Sequence, residues 1–102
     1  MQQSATESLY TSLLELHRRM AIAAREASWQ DLEALERESA AIALTLQSAP
    51  SEVPLDPEAT VARKAMISEM LSLQGVIREE ISSWRKDAEP LISALASRTA
   101  GP

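Results

Sequence analysis

The sequence has no cysteine and no phenylalanine, only two glycines, one histidine, two tryptophans and one tyrosine. Without cysteine there is no disulfide, thiol nucleophile or thiolate metal site. Two glycines are too few for a phosphate-cradling loop, and so few aromatic residues suit a β-sheet badly. Basic residues are also in deficit: ten Lys and Arg face fifteen Asp and Glu, a formal charge of -5. Electrostatic attachment to nucleic acid or to an anionic membrane surface needs the opposite balance. No apolar run approaches the roughly 18 residues that span a bilayer, and Met1-Gln2-Gln3-Ser4 opens no signal peptide. Neither nucleic-acid binding nor membrane insertion is expected, and the default is a soluble cytoplasmic chain.

What the sequence has is alanine, leucine and glutamate in helical rhythm. We expect an all-α fold, an antiparallel three-helix bundle with a long third helix, in one domain over 1–102. Its helices are expected at about 4–26, 28–48 and 57–97, with a proline-bearing linker at 49–56. Ser4-Ala5-Thr6-Glu7 has capping-box spacing, and Leu9, Leu13, Leu16, Met20, Ala23 and Ala27 form the first seam. Ser28-Trp29-Gln30-Asp31 repeats the box and makes the first connection a tight corner, with Trp29 as a packing wedge. Leu32, Leu35, Ser39, Ile42 and Leu46 continue the second seam on an acidic helix. Ala49 to Asp56 carries Pro50 and Pro54, which disfavour helix in the residues before them.

The third helix opens with Asp56 as cap, Pro57 at its first position and Glu58 on the positive end of the dipole. Met66, Met70, Leu73, Ile77, Ile81, Trp84, Ala88, Leu91 and Leu95 then recur at steps of three or four. Such a helix is roughly 60 Å long, while the first two reach only about 30 to 36 Å. If it runs back along the second helix it draws level with the Ser28 corner near Arg78, and about a third of it has no cover. Pro90 either kinks or ends it. Three outcomes hide the remaining stripe: folding back at Pro90, pairing with a second copy as a homodimer, or accepting an apolar helix from another protein. The candidate partner-binding residues are therefore Met70, Leu73, Ile77, Ile81, Trp84, Ala88, Leu91 and Leu95.

Catalytic chemistry finds little footing. His17 has no cysteine or second histidine to work with. Glu33 and Glu36 could share a helical face but lack the Glu-x-x-His pattern of di-iron bundles, and Ser82-Ser83 has no activating base. No catalytic residue, metal or cofactor is assigned. Helical chorismate mutases share the three-helix shape, but their chemistry needs inward cations, and Arg18, Arg19, Arg25, Arg63 and Lys64 sit mostly off the apolar lines.

Leu13-Leu14-Glu15-Leu16-His17-Arg18-Arg19-Met20 and Ala24-Arg25-Glu26-Ala27-Ser28-Trp29-Gln30-Asp31-Leu32-Glu33-Ala34-Leu35-Glu36-Arg37-Glu38 form the first half of a wider pattern. Leu55-Asp56-Pro57, Leu71-Ser72-Leu73-Gln74, Ile77-Arg78 and Trp84-Arg85 form its second. Over nearly the whole chain this resembles the FliT family of flagellar export chaperones, in which a tryptophan opens the second helix after a short corner. Ala27-Ser28 stands where the family often has a glycine and an acid.

The resemblance implies a cytoplasmic chaperone that binds the C-terminal region of the filament-cap protein FliD, prevents its premature assembly and delivers it to the type III export apparatus. It also implies export-ATPase components and the flagellar master regulator as further partners of some relatives. Better-known members carry an additional C-terminal helix that regulates access, whereas here Arg98 to Pro102 follow Ser97, so cap-protein binding carries over further than regulator binding. The alternatives are a non-catalytic homo-oligomeric coiled coil and, more remotely, a small chorismate mutase.

Overall fold

In the computed structural model, residues 5–48 and 56–100 are described. Ser4 of the first capping box and linker residues 49–55 lie outside them. Three helices follow in order: α1 (Ala5–Arg25), α2 (Trp29–Ser48) and α3 (Pro57–Ala100). The long third helix is as expected. Its 44 residues correspond to about 66 Å of helix, and the molecule is 67 Å along its longest axis.

Local chemistry sets the helix ends. The Asp56 side chain accepts a hydrogen bond from the Ala59 N–H at 2.7 Å, and its carbonyl accepts from the Thr60 N–H at 3.0 Å. Pro57 follows at the first helical position, where its missing N–H leaves nothing unsatisfied. At the corner, the Ser28 N–H bonds to the Ala23 carbonyl at 2.8 Å and the Ala27 N–H to the Ala24 carbonyl at 3.2 Å. These are the paired bonds of a Schellman stop, with Ala27 in the left-handed region at φ 55°. The Ser28 carbonyl accepts from Leu32 N–H at 2.9 Å, so one residue closes α1 and opens α2.

The packing order differs from the expected one. Both α2 and α3 pack on α1, and no Cα atoms of α2 and α3 lie within 8 Å of each other. The third helix thus runs along α1 and not back along α2. The linker brings α3 to the same end of the bundle as the α2 terminus, but α1 offers it the larger apolar surface. Leu13, Leu14, Leu16, His17, Met20, Ala21, Ala23 and Ala24 are all buried, which takes in a second face beyond the predicted seam. Leu32 and Leu35 of α2 and Ile77 of α3 close one core cluster around them, and Met70 closes another with Leu13 and Leu14. Leu9 is only half-buried and Ala27 is exposed at the turn.

Polar contacts fix α3 parallel to α1. Glu7 pairs with Arg63, whose guanidinium lies 4.6 Å above the Tyr10 ring. Arg18 donates to both carboxylate oxygens of Glu69, at 2.7 and 3.0 Å. His17 Nδ1–H donates to the Leu13 carbonyl at 2.8 Å, which leaves Nε2 to accept from the Gln74 amide at 3.1 Å. These pairings carry α3 to the corner at Trp84, which meets Trp29 edge-on with ring centroids 5.2 Å apart. The helix is therefore level with the corner six residues, about one and two-thirds turns, later than the expected Arg78.

Two backbone substitutions test this account. Ala27→Gly removes the side chain from a left-handed position and is expected to stabilise the protein by about 0.5 to 1 kcal/mol. A Cβ added at Gly75 meets nothing within 4 Å, so Gly75→Ala should gain a similar amount, about 1 kcal/mol, from helix propensity alone. Urea unfolding measures both, and a loss in either variant contradicts the local geometry described.

The Arg18–Glu69 pair gives a pH test. Its hydrogen bond, more than the charge of Arg18, holds the Glu69 carboxyl below the usual carboxylate range. A depressed carboxyl contributes its stability above the ordinary value and loses it as pH falls through the lowered one. Both side chains are nearly half exposed, so solvent screens the effect. Glu69→Gln should lower the melting temperature slightly at neutral pH, with the two proteins converging in strong acid.

Candidate functional site

Among the described residues, two open apolar surfaces involve α3. The first is a groove of about 580 Å³ between α2 and α3. Tyr10, Leu13, His17 and Met20 of α1 form its floor, Ser39, Ala40 and Ala43 one wall, and Ile67, Leu71, Gln74 and Ile81 the other. It exists because α2 and α3 stand on the same helix without packing against each other. The small residues on the α2 side keep that wall low, which would let a helix backbone approach closely.

The second surface is the overhang beyond the corner. From Arg85 to Arg98 every described side chain is exposed except Ala88, which is half-buried. Leu91 is 64 %, Ile92 55 % and Leu95 51 % exposed. The helix continues through Pro90 without a break, so the expected choice between kink and stop resolves as neither stop nor fold-back. Pro90 has no N–H to donate to the Lys86 carbonyl, and solvent can serve that carbonyl because Lys86 is exposed.

The eight candidate partner-binding residues fall into three groups. Met70 and Ile77 are core residues packed on α1, offering a partner only what they show at the groove floor. Leu73 and Ile81 are half-buried against the same core. Trp84 is 44 % exposed at the joint, and Ala88, Leu91 and Leu95 lie on the overhang. The sequence reading counted Ile92 on the uncovered stripe with Leu91 and Leu95 but missed Ile67 and Leu71; all three are exposed. A signal for them existed: Ile67, Leu71, Ile81, Ala88, Ile92 and Leu95 fall on a single heptad line once Gln74, Arg78 and Arg85 are allowed as its polar members.

Both ring nitrogens of His17 are engaged, and among the described residues no group of three His, Asp or Glu side chains could hold a metal ion. Arg18 and Arg63 are paired with Glu69 and Glu7, and Arg19, Arg25 and Lys64 are exposed, so these five cations form no inward cluster on the groove. No helix among the described residues is long and apolar enough to cross a membrane.

A family model described as "Flagellar protein FliT" matches residues 7–100 of the chain. No curated protein and no solved structure matches it. The matched span takes in α1 almost entire, the Trp29 corner, α2 and the whole of α3 with its overhang.

Among the described residues, none from 87 onward belongs to either core cluster. Deleting residues 87–102 should therefore reduce total helicity while leaving the urea midpoint of the remaining bundle unchanged. A large fall in that midpoint would show that the overhang supports the core.

Proposed function

Because the chain belongs to the FliT family of flagellar proteins, we propose that it acts as a cytoplasmic export chaperone. Its client in this reading is the C-terminal region of the filament-cap protein FliD, seated as an amphipathic segment on the apolar face of α3. While seated, that segment is unavailable for premature assembly and remains competent for delivery to the type III export apparatus. Export-ATPase components and the flagellar master regulator are further partners that the same family resemblance suggests.

The observation that carries the reading is the exposed stripe of α3. Isolated exposed leucines are ordinary, but Leu91, Ile92 and Leu95 lie together on one rod, where Ile92 and Leu95 continue the line of the groove and Leu91 flanks it. Each is already partly covered, so completing its burial supplies about 1 to 2 kcal/mol, against association costs of roughly 4 to 15 kcal/mol. The overhang alone therefore gives weak binding. Occupying the groove as well adds Ile67, Leu71 and Ile81 and brings the gain to the same order as that cost, as a reversible complex requires. A chaperone that must surrender its client at the export gate requires reversibility.

A homo-oligomeric coiled coil would use the same residues, and sedimentation at several concentrations separates the two. The chaperone reading expects saturable binding of a FliD C-terminal peptide. Leu91→Ala with Leu95→Ala should weaken that binding by about thirtyfold, since two exposed leucines are each worth of order 1 kcal/mol at an interface. Trp84→Ala should weaken it as well, with helical circular dichroism retained in every variant. Unchanged affinity in all of them would remove this face from the interaction.

A further inference from the structure

The exposed line on α3 is not uniformly apolar. Ile67, Leu71, Gln74, Arg78 and Ile81 line the groove, and Arg85, Ala88, Ile92 and Leu95 continue the same four-three spacing along the overhang. Two arginines thus stand in the middle of a line with large apolar residues at both ends. They are seven residues apart, about 10.5 Å along the axis and on one face. Both are exposed, and among the described residues neither forms an ion pair. Glu36 lines the opposite wall of the groove from Arg78, and Glu89 follows Arg85 by one turn, yet neither acid reaches an arginine.

We propose that Arg78 and Arg85 select what occupies this face: an amphipathic helix with apolar anchors at both ends and carboxylates about seven residues apart between them. The proposal rests on the client reading above and specifies the chemistry of the client. A helix laid along the line strips water from both guanidiniums. An apolar or basic side chain opposite them would leave a desolvated, unpaired charge, whereas a carboxylate can meet the guanidinium fork with two parallel hydrogen bonds. The apolar ends then supply affinity and the two arginines supply discrimination.

The same charges argue against a second copy of this chain as the occupant. Antiparallel pairing of the line in heptad layers sets Arg78 against Ala88 and Arg85 against Ile81 of the other copy, apolar side chains that cannot meet a guanidinium. Parallel pairing sets each arginine against itself. Either arrangement takes four guanidiniums into the seam with no carboxylate on the line to meet them, which disfavours self-pairing.

The test uses the full chain and three synthetic helical peptides that share one heptad pattern of leucines. They differ only at two central line positions seven residues apart, which hold Glu, Lys or Gln. In fluorescence anisotropy at low salt, the Glu peptide should bind at least about tenfold more tightly than the Lys peptide, with Gln between them. The double variant Arg78→Glu with Arg85→Glu should reverse the order. Both positions are exposed, and circular dichroism verifies that the variant is folded. Equal affinities for the Glu and Lys peptides, no binding by any of the three, or an order unchanged in the double variant would each overturn the proposal. A wild-type dimer that Ile81→Glu dissolves would overturn it too, by giving the face to self-pairing. If the FliD peptide binds the double variant as tightly as the wild type, the client reading stands and the arginine selection fails. If the Glu peptide binds selectively and the FliD peptide does not bind at all, the client assignment fails and the selection stands.

Discussion

Everything in this fold depends on α1 being buried from two sides. It is the only described helix that packs against both others, and its Leu13–Leu14 and Ala23–Ala24 doublets supply the two faces that make this possible. A helix with a single apolar stripe could hold one neighbour well. With two faces buried, α1 becomes the central support, and its flanking helices need not meet. The groove follows directly from that division, because the space between α2 and α3 is filled only as far up as the α1 side chains extend.

The same constraint explains what could be read from the sequence and what could not. Helix number, the Ser28 corner and the Asp56-Pro57 start were legible because caps and prolines act locally. The overhang was legible because it follows from length, and 44 residues outlast 20 or 21 wherever they are docked. The neighbour of α3 was not legible. Chain connectivity suggested α2, and nothing in the heptad spacing of α3 distinguishes one apolar stripe from another as its cover. The clue lay in α1, where Leu14, Ala21 and Ala24 fall outside the seam beginning at Leu9 and Leu13 and are nonetheless buried.

The candidate site was legible to a similar degree. Leu91, Leu95 and Trp84 were marked by their period, while Met70 and Ile77 share that period and belong to the core. Periodicity tells which residues lie on one side of a rod and not where the rod loses its cover. Ile67 and Leu71 escaped notice for the complementary reason: their line is interrupted by Gln74, Arg78 and Arg85, so it resembles a solvated face until the groove beside it is seen.

The edge-on contact between Trp29 and Trp84 sits where α3 leaves its support. Beyond that fulcrum the rod extends about 24 Å, so a tilt of only about 10° at the joint swings its tip sideways by about 4 Å. Because α3 is one unbroken rod, small changes in how it sits on its support are amplified at the end of the arm.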